Sequence, residues 1–74
     1  MARRNYRKEI SGLLEIINKE TGGNYMADYV PHYGGWSLYQ LNSHGERSKG
    51  KYGFDYKISG KEMVQRLIGI ISAL

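Results

Sequence analysis

Residues 52–64 read YGFDYKISGKEMV, and the fold turns on the point within them where the pattern changes. Up to Ile58 the side chains alternate: Tyr52, Phe54, Tyr56 and Ile58 point one way, Gly53, Asp55 and Lys57 the other. Strict alternation marks a strand with one buried and one wet face. At Ser59 the period lengthens. SGKE (59–62) is a capping box, in which Ser59 accepts from the Glu62 amide and the Glu62 side chain reaches back. Met63, Val64, Leu67, Ile68, Ile71 and Leu74 then form one apolar stripe at helical spacing. A strand over 52–58 therefore runs into a helix over 59–74. Ile70, on the margin of the stripe, is a candidate for a protein contact.

Toward the N-terminus the alternation recurs twice. WSLYQL (36–41) sets Trp36 and Leu38 against Ser37, Tyr39 and Leu41, and YMADYV (25–30) sets Tyr25, Ala27 and Tyr29 against Met26, Asp28 and Val30. PHYGG (31–35) and NSHGERSKGK (42–51) are rich in Pro, Gly, Asn and Ser and read as the connecting turns. Residues 5–21 predict the first helix, with Ile10, Leu13, Leu14 and Ile17 on one face and Tyr6 one turn earlier. Asn5 is its candidate N-cap, and TGG (21–23) stops it. Gly12 lies inside this helix, where glycine costs about 1 kcal/mol against alanine; we read it as room for a neighbouring element.

The order is α-β-β-β-α. Short connections favour an antiparallel meander, and each helix has one apolar face. The expected fold is thus α+β: a three-stranded antiparallel meander with two helices packed on one face and the other face open. Residues 1–74 form one small domain, with 1–4 as a flexible basic arm. The start at Met1 and a helical pattern reaching Leu74 predict a whole small protein.

A chain of 74 residues buries only about 60% of its extended surface, so packing or self-association must stabilise it. The absence of Cys excludes disulfides and thiolate metal sites, and His32 and His44 are too few for a structural zinc. No apolar run approaches the roughly 20 residues of a spanning helix, and the basic start lacks the apolar core of a signal peptide. We expect a soluble, cytoplasmic protein. Hydrolase, zincin and phosphate-loop motifs are absent, and both histidines fall in turns. We therefore expect no enzyme, no cofactor and no metal.

The formal charge is +4. Arg3, Arg4, Arg7 and Lys8 cluster at the start, and Arg47, Lys49, Lys51 and Lys57 form a looser group. Such charge solubilises, and it also draws polyanions through counterion release. Rings crowd the strands, where they fill a half-buried pleated surface; exposed rings also stack on unpaired bases. Alternation sends Trp36 and Tyr39 to opposite faces, and Tyr33 and Trp36 flank the Gly34–Gly35 pair. The candidate binding face holds Tyr29, Tyr33, Trp36 and Tyr39, with Lys49, Lys51 and Lys57 at its rim. An uncovered apolar face is costly in water. The expected role is accordingly a non-enzymatic binding or assembly module, a homodimer or the binder of a protein partner. The alternative is a nucleic-acid (RNA) binder using the same face and the loop 47–51. Its candidate contacts are His32, Arg47, Lys49, Lys51, Lys57 and Lys61.

PHYGG and SGKEMVQ (59–65) also carry a likeness. The element order is similar to that of double-stranded-RNA-binding domains. PHYGG resembles the Pro-His loop that enters a minor groove in that family, and SGKEMVQ sits where the family has a lysine-rich, phosphate-gripping helix start. The resemblance implies His32 and Lys61 as RNA contacts. Of the lysine cluster only Lys61 is present, followed by Glu62, Met63 and Val64, and the alanine-rich packing face of the family's second helix is missing. The likeness is one of layout, and we infer no membership from it.

Overall fold

A computed structural model describes residues 6–32 and 34–74. The basic arm at 1–4, the Asn5 cap and Tyr33 lie outside the described residues. The elements are α1 (Tyr6–Thr21), β1 (Tyr25–Val30), β2 (Gly35–Leu41), β3 (Arg47–Ser48), β4 (Phe54–Ile58) and α2 (Gly60–Ala73). The capping signal at Ser59 is realised: its backbone is extended and its hydroxyl accepts the Glu62 N–H at 3.2 Å. Gly22, at φ 70°, ends α1 and returns its N–H to the Asn18 carbonyl.

β2 is the central strand. It pairs antiparallel with β1 on one side and with both β3 and β4 on the other. The third column of the sheet is therefore split. β3 covers the Gln40–Leu41 end of β2, β4 covers Trp36–Leu38, and residues 49–53 loop out between them. β3 is the difference from the sequence reading, which placed residues 42–51 in a turn. Its two residues carry no alternation to recognise; they are strand only because β2 extends beyond β4 and offers unpaired backbone.

The core is one cluster: Ile10, Leu14 and Ile17 from α1, Met63, Val64 and Leu67 from α2, and Tyr25, Trp36, Leu38, Phe54 and Ile58 from one sheet face. Both helices thus cover the same side, as their apolar stripes predict. They start together, with the Tyr6 ring against Gly60, and run side by side.

Three details differ from the pattern. On α2 the buried face is rotated toward Ile70, which packs against the core, while Ile68 is 49% exposed. A six-residue apolar stripe is wider than the surface available to cover it, and only packing selects the covered side. Tyr56 is 52% exposed although Phe54 and Ile58 are buried. Between the pairs Trp36↔Ile58 and Leu38↔Phe54, β4 advances four residues while β2 advances two, and this bulge swings Tyr56 outward. Its ring stacks on Phe54 and its hydroxyl accepts from Arg66 at 2.6 Å. Finally, a side chain at Gly12 would meet nothing within 4 Å, so no neighbour uses the space.

Asn18 ties α1 to the sheet. Its amide accepts the Tyr25 N–H at 2.8 Å and donates to the Tyr25 carbonyl at 3.1 Å, the two groups that β1 turns away from β2. Asn18→Ala should cost about 1–2 kcal/mol, the cost of orphaning two partly buried backbone groups. Urea unfolding measures the loss, and faster hydrogen exchange at the Tyr25 amide locates it.

Candidate functional site

No helix covers the face of the sheet away from α1 and α2, where Met26 is exposed, Asp28, Val30, Tyr39 and Leu41 are half-buried and Ser37 is buried. β1 contributes Met26, Asp28 and Val30, and β2 contributes Ser37, Tyr39 and Leu41. The register pairs Met26 with Tyr39, Asp28 with Ser37, and Leu41 with Arg47. Opposed residues share a face, so these side chains stand together. Met26 is 42% exposed, and its sulfur accepts a weak bond from the Tyr39 hydroxyl at 4.0 Å. The Arg47 guanidinium lies 4.2 Å from the Tyr39 ring centroid. An exposed cation–π contact of this kind contributes about 0.5–1 kcal/mol.

A groove of about 270 Å³ opens where the third column of the sheet is split, lined in part by Tyr39, Lys49, Asp55 and Lys57. The charges around it are matched. Arg47 faces Asp28 at 3.6 Å, Lys49 faces Asp55 at 3.5 Å, and Lys57 donates to the Ser37 hydroxyl at 3.2 Å. Both ion pairs are exposed and contribute little stability; what they change is the field of the face, leaving three cations against two carboxylates. Gly35 lets Lys57 lie flat here, since a side chain on it would meet Lys57 Cβ at 2.6 Å.

The structure divides the predicted ring cluster. Trp36 is buried beneath the helices, at 7% exposure. Tyr29 lies directly opposite it on the same face, ring centroids 5.1 Å apart, and Arg7 lies over both rings. Tyr39 alone of the three described rings reaches the open face, because it lies three residues beyond Trp36 in an alternating strand. Tyr33 is outside the described residues. Of the predicted rim, Lys49 and Lys57 border the open face, as does Arg47. Lys51 does not: its N–H donates to the Tyr25 hydroxyl and its ammonium sits 5.5 Å from the Tyr52 ring, on the helical side. His32 and Lys61 are exposed, in the β1–β2 turn and the first turn of α2. Met26 and Leu41 were missed. The parity of Leu41 with Tyr39 is readable along β2, but that Met26 joins them, and which parity faces outward, depends on the register between strands.

His44 lies in the exposed β2–β3 turn, where its N–H donates to Asn42. Among the described residues no group of three His, Cys, Asp or Glu could hold a metal, and no helix is long and apolar enough to cross a membrane. In comparison with known proteins, no protein family matches the chain, and neither a curated protein nor a solved structure resembles it significantly. Fold and surface together define a small α+β module with one open sheet face.

Proposed function

We propose that the chain is a small non-enzymatic binding module that docks a protein partner on the open sheet face. The observation that supports this reading is the strip of exposed Met26 with half-buried Tyr39 and Leu41, which no helix covers, bordered by cations that already have partners. A polyanion site works by exchanging condensed counterions for free protein cations; here Arg47 and Lys49 are engaged by Asp28 and Asp55. At about 3.3 Å per residue and 4.8 Å between strands, the face measures on the order of 23 by 14 Å. That is well short of the roughly 800 Å² per partner of a stable interface, so the contact suits a short segment or a transient encounter.

Photo-crosslinking tests the reading. A photoreactive phenylalanine analogue in place of Tyr39, irradiated in the native cell, should give adducts concentrated on one protein and lost with Leu41→Glu. Adducts with nucleic acid alone, or none above those from position 43 in the exposed turn, would sink it.

A second reading, RNA binding, has one observation in its favour. β4 delivers α2 beside the β1–β2 turn, since Ile58 pairs with Trp36, so His32 and Lys61 come to one end of the molecule. Retention of RNA at low salt, falling steeply as salt rises and weakened by Lys61→Ala, would favour it over the first.

A further inference from the structure

β1 also presents a free edge, since it pairs with β2 alone. Leu41 donates its N–H to the Asn24 carbonyl at 3.0 Å. In an antiparallel ladder hydrogen-bonded pairs alternate, so the N–H and C=O of Tyr25, Ala27 and Tyr29 point away from β2. Asn18 occupies those of Tyr25. Ala27 and Tyr29 offer theirs to the outside. Beside this edge lies a groove of about 330 Å³ between α1 and β1, lined in part by Arg7, Ile10, Ser11, Leu14, Glu15 and Ala27.

We propose that two copies of the chain join here, β1 antiparallel to β1, about a two-fold axis normal to the sheet and passing through Asp28. In this register Ala27 of each copy pairs with Tyr29 of the other. Every open backbone group of the edge is then used, and both Asn18 clamps remain in place. Tyr29 is exposed for a ring its size, at 37%. It would lie over the small side chain of Ala27 in the groove of the second copy.

Charge supports a second copy rather than an unrelated strand. Arg7, Ser11 and Glu15 follow one another at four-residue spacing along the flank of α1 that lines the groove, and all three are exposed. The two-fold sets Arg7 of each copy against Glu15 of the other, with Ser11 against Ser11 on the axis. The heights agree. From the Asn18–Tyr25 clamp, Ser11 lies about 10 Å up the helix and Asp28 about 10 Å up the strand. The like charges of the two Asp28 residues oppose pairing, but each is offset by its own Arg47 at 3.6 Å. Joined this way, the two open sheet faces lie on one side and form a platform of twice the width.

Sedimentation of the full chain across concentration reads the association. We expect a dimer that Arg7→Glu or Glu15→Arg weakens about tenfold or more, because two symmetry-related pairs turn from attraction to repulsion. The double variant R7E/E15R should restore it, and all three should keep a cooperative thermal unfolding transition, lowered wherever the dimer or the Arg7 contact with the Tyr29 and Trp36 rings is lost. The chain has no cysteine, so Asp28→Cys supplies a single thiol. On oxidation it should give a covalent dimer, since residues facing across the axis fall within the roughly 4.4–6.8 Å that a disulfide spans. Ser43→Cys should give no covalent dimer. A chain that is monomeric at every concentration overturns the proposal, and leaves the edge to an extended segment of another protein. A double variant that does not restore the dimer, or equal cross-linking at 28 and 43, overturns it too. Dimer loss on Leu41→Glu with the charge variants silent would assign self-association to the open face instead.

Discussion

Leu67→Ala should leave the protein close to unfolding at room temperature. Leu67 is fully buried and sits with Met63 and Val64 between α1 and the sheet. Truncating a leucine in such a place removes its transfer energy and leaves a cavity, together about 3–4 kcal/mol. A domain of this length has on the order of 4–11 kcal/mol in total, and small cores lie toward the low end. Ile68→Ala is the matched control: the next residue, 49% exposed, should cost under about 1 kcal/mol. Urea midpoints for the two variants measure the contrast. A larger loss at Ile68 than at Leu67 would mean that α2 presents the wrong side to the sheet.

Gly53→Ala should be the most damaging single-methyl change. Gly53 closes the loop between β3 and β4, donating its N–H to the Lys49 carbonyl at 2.7 Å. A methyl group there would collide with that same carbonyl oxygen and come 2.9 Å from the Leu38 carbonyl oxygen. Neither is the end of a flexible side chain, so the backbone of the loop or of β2 must shift, at about 2 kcal/mol or more. Gly12→Ala makes the opposite case. With nothing within 4 Å and a helical backbone, the added methyl should stabilise the protein by about 0.5–1 kcal/mol. Thermal unfolding separates the two. A neutral Gly53→Ala would show that residues 49–53 do not fold back on β2 as described.

The candidate site was half legible. Alternation separates Tyr39 from Trp36 in the sequence itself, where closeness along the chain sets Lys49 and Lys57 beside the strands. It could not gather Tyr29, Trp36 and Tyr39 on one face, nor keep Lys51 at the rim of the open face. Lys51 follows a glycine at φ 60° that turns the chain toward Tyr25, and no side-chain pattern records such a turn. The groove beside β1 was invisible for another reason. The four-residue spacing of Arg7, Ser11 and Glu15 is plain in the chain, but its neighbour in space is a strand edge more than ten residues away.

The sequence by itself determined the local elements: two amphipathic helices, the cap at Ser59, the three longer strands and the sharing of one sheet side by both helices. These follow from backbone periodicity and short-range hydrogen bonds, which a run of neighbouring residues specifies. Tertiary structure alone decided which flank of α2 is covered, where β4 bulges, that two residues of a turn become β3, and which ring of β2 meets water. Each of these depends on register, and register is settled only when strands and helices distant along the chain compete to bury the same surface.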